Sequence, residues 1–177
     1  MRYALIVLGI LAAVGVVIVA IGAMLPVRHT ASRQVRLQQP PEKVFALIND
    51  PAGFPTWRKS VSKVEMLPDN AGHRVFREVG KDGSILYEVD SVVPNQRLVT
   101  RIADKSLPFG GKWTYDLTGD GGSSILRITE DGEVYNPLFR FVSRFVMGHN
   151  STIDRYLGDV AAHFGEPAAA VSDAAPK

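Results

Sequence analysis

The N-terminal part of the chain carries an almost unbroken apolar run, from Ala4 to Leu25, that contains no charged residue. Arg2 precedes this run, and Arg28 is the first charged residue after it. A helix needs about 20 apolar residues, each rising about 1.5 Å, to cross the roughly 30 Å hydrocarbon core of a bilayer. The run meets that length, so the sequence predicts a single-pass transmembrane anchor over residues 4–25.

A cleaved secretory signal is the alternative interpretation of this run. The apolar core of such a signal is usually about 7 to 15 residues long and ends in a small-x-small cleavage site. The run here is longer, and its best candidate for cleavage is the tripeptide from Ala20 to Gly22. We therefore expect an uncleaved anchor.

Flanking arginines give a preference for the side of the membrane on which the rest of the chain lies. Lys and Arg near the ends of a membrane helix tend to remain in the cytoplasm. Arg28, Arg33 and Arg36 follow the run, whereas only Arg2 precedes it. The distribution slightly favours the cytoplasm, but a large domain can be translocated regardless of flanking charge, so both sides stay open.

The rest of the chain is long enough for one domain with its own core. A linker is expected at 26–32, a globular domain at 33–165, and a disordered tail at 166–177, which is rich in alanine and contains proline. The net charge is +2, and no basic stripe with interleaved aromatic residues is present, so we expect no nucleic-acid partner. There is no cysteine, the histidines lie at no metal-ligand spacing, and we expect neither a metal nor a cofactor.

Alternation of apolar and polar residues with a period of two predicts seven strands. These strands cover 32–38, 61–67, 73–79, 84–93, 97–103, 111–117 and 124–133. The short turns between the last six predict antiparallel neighbours, because parallel strands need long crossovers. A short helix is expected from Pro41 to about Asn49, and a broken helix or turn at 52–57.

Apolar residues then recur every three or four positions from Leu138 to Phe164, which predicts one long C-terminal helix. Asn136 and Pro137 suit its start and Gly165 its end, and Gly148 weakens it locally. We interpret Glu130, Asp131 and Glu133 as ion-pair partners of Arg140 and Arg144. The first part of the helix is apolar nearly all round, so it is predicted to contact the core, the loop at 106–111 or a bilayer surface.

At this point the chain resembles the START-like, helix-grip superfamily (SRPBCC), and more narrowly its membrane-anchored bacterial polyketide cyclase/dehydrase-like members. The segments that carry the resemblance are Pro40–Phe45, Asp50–Arg58 and, most specifically, Ile128–Phe145. The narrower family usually continues its Trp-Arg with Pro-Asp, whereas this chain has Lys59 and Ser60, so no acidic residue is carried over to that position.

The resemblance implies an α+β helix-grip fold, with a curved seven-stranded antiparallel sheet around the long C-terminal helix and one N-terminal transmembrane helix. It also implies location in a bacterial inner membrane. Such a sheet leaves a cavity beneath its helix, and six residues are predicted to line it by analogy with the superfamily: Trp57, Tyr87, Trp113, Tyr115, Phe145 and His149. The alternative for the aromatic residues is an ordinary core, and the alternative for His149 is a structural histidine.

Three functional hypotheses follow. The first is a membrane-anchored protein that binds a hydrophobic small molecule such as a lipid or quinone. The second is a cyclase- or hydrolase-type enzyme in which His149 and Tyr115 transfer protons, although no nucleophile or orienting carboxylate is found at motif spacing. The third is an interaction module of a chaperone or envelope complex, which predicts a cavity too small for a ligand. Binding is favoured over catalysis, and no catalytic residue is assigned.

Overall fold

The computed structural model describes residues 2–81, 83–119, 122–167 and 171–173. The helices and strands are α1 (Arg2–Met24), β1 (Arg28–Leu37), α2 (Pro41–Ile48), β2 (Val61–Asn70), β3 (His73–Gly80), β4 (Gly83–Val93), β5 (Arg97–Ile102), β6 (Phe109–Gly119), β7 (Ser124–Val134), α3 (Pro137–Val142), α4 (Ser151–His163) and β8 (Val171–Asp173). A 3-10 helix spans Pro51–Thr56, and a π-helical turn spans Ser143–Met147.

The strands form one antiparallel sheet in the order β2-β3-β4-β5-β6-β7-β1-β8. The seven predicted strands, the helix-grip fold and the short helix at Pro41 are confirmed. Three residues of the tail, 171–173, pair with β1 as the short edge strand β8, where the sequence predicts disorder. Glu166, at the start of that tail, accepts a hydrogen bond from the backbone N–H of Gln38, and positions 168–170 and 174–177 lie outside the described residues.

The core lies on one face of the sheet, which is covered by α2, the 3-10 helix and α4. On α4, the buried residues Ile153, Tyr156, Leu157 and Val160 recur at helical spacing. They pack with inward-facing strand residues, which are Val35, Leu37, Leu117, Leu126 and Ile128. Irregular register between β2 and β3 and between β4 and β5 bends the strands, because a bulge increases local twist.

The predicted long C-terminal helix is divided in two at Gly148, where the sequence predicts a local weakening, and the full separation into two helices is a correction. After α3 and the π-helical turn, Gly148 has a φ of 74°, a conformation that a residue without Cβ adopts at no steric cost, and α4 begins at Ser151. The division has a physical reason. The two halves carry separate apolar surfaces: α4 packs on the sheet beside β1, whereas α3 packs on α1.

The end of α1 is docked on α3 through a glycine contact. Within α1, only Ile18 and Gly22 are covered, and they lie one turn apart on the same face. A Cβ at Gly22 would lie 2.0 Å from the carbonyl oxygen of Pro137. Only glycine therefore permits this approach of the two helices.

Arg140 stabilises the same contact between α1 and α3, which we call the α1–α3 joint. Its Nη1 donates a hydrogen bond to the carbonyl oxygen of Leu25 at 2.7 Å, just past the C-terminal end of α1, where carbonyl groups have no partner within the helix. The predicted ion pairs of Glu130, Asp131 and Glu133 with Arg140 and Arg144 are therefore wrong. Glu133 instead pairs with Arg28 at 3.0 Å, and Asp131 lies 3.9 Å from Lys112.

Substitution of Gly22 by valine should separate α1 from α3. We expect Gly22→Val to lower the stability of the domain in detergent by about 1–3 kcal/mol, as for other overpacked contacts, and to raise amide exchange at 137–147. Gly15→Val is the matched control, because nothing lies within 4 Å of a Cβ at Gly15. Equal amide exchange at 137–147 in the two variants would show that the contact of Gly22 with Pro137 does not hold α1 on α3.

Candidate ligand cavity

A cavity lies between the concave face of the sheet, the 3-10 helix and the start of α4. Its lining consists of Ile48, Pro51, Phe54, Arg58, Arg74, Phe76, Glu78, Tyr87, Val89, Leu98, Thr100, Trp113, Tyr115 and Thr152. Its volume of about 50 Å³ has room for only a few water molecules. Pockets that hold drug-sized ligands usually measure about 300–1,000 Å³, so this one is nearly closed.

One side of the cavity is formed by a largely buried ion pair, whose side chains are 13% and 12% exposed. Arg58 follows the 3-10 helix, and its Nη1 donates a hydrogen bond to Oε1 of Glu78 on β3. The guanidinium also lies over the rings of Phe54 and Tyr156, at 4.9 and 4.8 Å from their centroids. Burial by itself would lower the pKa of Arg58, but the carboxylate of Glu78 outweighs it and the pKa is raised. Arg58 therefore stays charged, and its charge is compensated within the protein.

Three tyrosines lie in or beside the cavity: Tyr87 and Tyr115 line it, and Tyr156 on α4 packs against Tyr115. Tyr87 stacks on Phe76 with centroids 5.4 Å apart, and Tyr115 and Tyr156 lie 5.5 Å apart. Burial raises the pKa of each of these three phenols. They are therefore neutral at physiological pH, so they can donate hydrogen bonds to a carbonyl or hydroxyl group of a ligand.

The six predicted cavity residues do not all meet. Tyr87, Trp113 and Tyr115 line the cavity. Trp57 is buried beside it with its ring edge-on to Tyr156, and its indole N–H has no hydrogen-bond partner among the described residues.

The other two predicted residues, Phe145 and His149, lie outside the cavity lining. Phe145 is 59% exposed in the π-helical turn. His149 follows Gly148 and stacks on the ring of His29, with centroids 3.9 Å apart. The division of the C-terminal helix explains both positions, because the stripe that carries them does not continue over the sheet.

The polar residues Arg58, Glu78 and Thr100, which line the cavity, were not predicted from the sequence. Glu78 could have been found, since it alternates with Phe76 on the inner face of β3, where an acidic residue needs a buried partner. Arg58 lies at the end of a segment that carries the resemblance. Thr100 gives no comparable signal, because a threonine is ordinary at an inward strand position.

A second group of titratable residues lies at the end of the sheet next to α1. His29 on β1 lies 3.7 Å from Oε1 of Glu130 and is stacked on His149. Trp113, which lines the cavity, is opposite Glu130 in the β6–β7 register. Burial raises the pKa of Glu130 to about 7, while a hydrogen bond from Trp113 acts in the other direction. Burial lowers the pKa of His29, and the neighbouring His149 lowers it further. Burial also lowers the pKa of His149, and the charge of Arg144 acts in the same direction.

Glu130 should make the domain less stable as the pH rises. Its carboxyl group has a pKa of 4.5 when solvated and about 7 in the fold, so the folded state binds more protons between these values. Stability from this group is complete below pH 4.5 and is lost as the pH rises through 7. We expect Glu130→Gln to match the parent protein at pH 4 and to exceed it at pH 8 by on the order of 3 kcal/mol, measured by chemical unfolding.

Glu133→Gln on the same strand is the control for this prediction. Hydrogen bonds from Tyr135 and Arg28 hold the pKa of Glu133 below its usual range, so its loss should bring no gain at high pH. A Glu130→Gln variant whose advantage does not grow between pH 4 and pH 8 would show that Glu130 is not held protonated by burial.

The fold has close counterparts among solved structures. A START superfamily protein from Mycobacterium smegmatis is 16% identical, with a TM-score of 0.57 over 76% of this chain and 99% of that one. The Zhui aromatase/cyclase from Streptomyces sp. R1128 is 17% identical, with a TM-score of 0.59 over 77% and 93%. A norcoclaurine synthase point mutant from Thalictrum flavum, in complex with a transition-state analogue, is 8% identical, with a TM-score of 0.61 over 77% and 94%. At these identities the likeness shows the fold.

The comparison with curated proteins finds no match. The family described as polyketide cyclase/dehydrase and lipid transport matches residues 28–164, which is most of the chain and nearly the whole of its globular part. The matched region begins at β1 and ends with the residue that follows α4, so it contains strands β1 to β7 and the cavity. The chain therefore belongs to the polyketide cyclase/dehydrase and lipid transport family, within the START-like superfamily.

Proposed function

We propose that this protein is a membrane-tethered binding protein for a hydrophobic small molecule of the lipid or quinone type. The observation that carries the proposal is the cavity, whose aromatic and aliphatic walls surround a few convergent polar groups, as is typical of small-molecule sites. The description of its family, which includes lipid transport, supports the same class of function. The cavity of about 50 Å³ must widen when the ligand enters.

The arrangement of the walls suggests how a ligand would be held. The aromatic side chains would contact its apolar body, while the neutral hydroxyl groups of Tyr87 and Tyr115 would donate hydrogen bonds to a carbonyl or hydroxyl group. The ion pair of Arg58 with Glu78 is compensated, so it would orient a dipole and does not call for a charged ligand.

Catalysis by Tyr115 and His149 has less support. Burial holds Tyr115 in its neutral form, and His149 lies with His29 outside the cavity lining. A proton-transfer pair needs its two groups within hydrogen-bond reach of one substrate. Binding therefore agrees better with the geometry.

The tether is α1, a helix of 23 residues that is long and apolar enough to cross a membrane. A signal sequence would satisfy the same length, but the fold uses the end of α1 as a structural part. Cleavage after Gly22 would remove the helix turn that contacts Pro137 and would leave Ala23, whose carbonyl oxygen lies 3.5 Å from Arg140, as the new N-terminus without its helix. The integration of this turn into the fold supports an uncleaved anchor.

Retention of α1 can be measured directly. We expect the intact mass of the protein isolated from its own membrane to include residues 2–25, because the domain binds the end of the helix through Arg140. A mature protein that begins within 21–28 would contradict the tether. The mass of the Arg140→Ala variant serves as a comparison, since a loosened joint should increase any cleavage.

Filling the cavity should abolish ligand binding. Val89 is 5% exposed and lines the cavity, whereas Val92 on the same strand is 43% exposed. In native mass spectrometry of full-length protein extracted gently from its membrane, we expect a lipid-like adduct on the parent protein and on Val92→Phe. The adduct should be at least about tenfold weaker on Val89→Phe, which costs about 1–3 kcal/mol of stability but stays folded. Equal adducts on both variants would place the ligand elsewhere.

An interaction module is the second candidate, and the small volume of the cavity is the observation that favours it. This function predicts parent protein without any small-molecule adduct and with a stoichiometric protein partner. The same mass spectra therefore separate the two candidates.

A further inference from the structure

The exposed apolar side chains of the domain are concentrated at one place. Outside α1, nine large apolar side chains are exposed among the described residues, and six of them lie at position 27 or within 135–146. These six are Val27, Tyr135, Leu138, Phe139, Phe145 and Val146. The other three, Met66, Val92 and Val93, lie on β2 and β4. We call the six residues the α3 patch.

The α3 patch is next to the end of α1. Pro137 contacts Gly22, and Arg140 binds the carbonyl oxygen of Leu25. Val134, the last residue of β7, donates a backbone hydrogen bond to the carbonyl oxygen of Val27, so the strand that leads into α3 ends at the same level. If α1 spans a bilayer, its last turn lies where the hydrocarbon core meets the headgroups.

The chain itself leaves this surface uncovered. The loop at 106–111, predicted as one possible cover, contacts Tyr135 through the carbonyl oxygen of Pro108. Phe139 nevertheless remains 50% exposed, and Val146 remains 73% exposed. Core burial and cover by this loop, two of the three predicted contacts, therefore do not account for α3.

The charges around the patch fit a membrane surface that carries negative charge. Arg144 is exposed in the π-helical turn, and no ion pair is found for it among the described residues. Tyr135 is half exposed at the edge of the patch, and tyrosine is enriched at the level of lipid headgroups. A short helical segment that combines Phe, Leu and Val with arginine is typical of elements that lie in the interface plane.

We propose that the α3 patch docks into the headgroup layer of the bilayer that holds α1, with anionic phospholipid as its partner. The inference rests on the proposed tether but not on the identity of any ligand. In this proposal α3 and the π-helical turn contact the membrane, whereas α4 packs on the sheet. Apolar side chains enter the boundary of the acyl chains, and Arg144 binds phosphate groups.

The cavity wall has an exposed residue close in the chain to the α3 patch. Thr152, in the first turn of α4, lines the cavity and is exposed. It follows the break at Gly148 by four residues, so this exposed part of the wall comes directly after the segment proposed to contact lipid. A hydrophobic ligand would thus move between bilayer and cavity over a short distance.

The chain has no cysteine, so single labels can test the proposal in the full-length protein. An environment-sensitive fluorophore is attached at Val146→Cys, at Val92→Cys, or at Val14→Cys in the middle of α1. The strand register aligns Val92 with Arg33, six residues along the chain from Val27, which makes it a matched exposed valine away from the α3 patch. The proteins are reconstituted in vesicles of phosphatidylcholine and phosphatidylglycerol that contain lipids spin-labelled high or low on the acyl chain.

We expect the label at 146 to be quenched several-fold more by the shallow spin label than the label at 92. Arg144→Glu should reduce that quenching in anionic vesicles more than in pure phosphatidylcholine. Equal quenching at 146 and 92, with the label at 14 quenched by the deep spin label, would overturn the docking and leave the tether intact. A label at 14 that escapes quenching would overturn the tether and the docking together. Protection of 146 from aqueous iodide without quenching by lipid would overturn the docking in favour of a protein cover.

Discussion

The buried ion pair of Arg58 with Glu78 is the interaction on which the arrangement of this domain depends. It connects the segment after the 3-10 helix to β3, and the guanidinium continues through the ring of Tyr156 to α4. Two charges removed from water are costly, and loss of one partner would leave the other uncompensated, typically at about 3–5 kcal/mol. The pair therefore fixes three elements at one point. It also keeps a polar wall within a space that the surrounding apolar residues would otherwise close.

The domain has a second centre of organisation at the end of α1. Gly22 brings α1 into contact with Pro137, and Arg140 binds the carbonyl groups that the end of α1 leaves free. Because α3 is held there, the C-terminal helix cannot continue straight over the sheet. Gly148 provides the change of direction, and α4 then occupies the position over β1. The break is thus the consequence of one apolar segment having two different partners.

The cavity with its ion pair and the contact between α1 and α3 differ in how far the sequence predicts them. Strand positions follow from local alternation, and Ala71, Gly72 and Asn95, which have positive φ, lie in predicted turn segments. The helical stripe from Leu138 to Phe164 was also visible, but periodicity reports that a face is apolar and not which surface covers it. The analogy with the superfamily predicts Phe145 in the cavity because it lies on this stripe, whereas the structure leaves it exposed.

Long-range contacts explain the remaining differences. The hydrogen bond from Arg140 to Leu25 joins residues 115 positions apart, and the stacking of His29 on His149 joins two segments with no common motif. No spacing in the sequence encodes such pairs. Glu78 is the intermediate case, since its inward position on β3 demanded a partner but did not identify Arg58.

The small cavity and the apolar α3 patch are connected by the way in which the cavity would open. A cavity lined by aromatic residues that stayed open in water would hold poorly solvated space, whereas a closed one keeps its packing contacts until a ligand replaces them. Opening then requires an element whose displacement breaks few contacts. The segment from Gly148 to Asn150 comes nearest to this condition, because it is a mostly exposed break between two helical units and its displacement would chiefly separate His149 from the ring of His29. Since the unit before the break is the one proposed to lie in the bilayer, lipid contact and cavity opening would act on the same hinge.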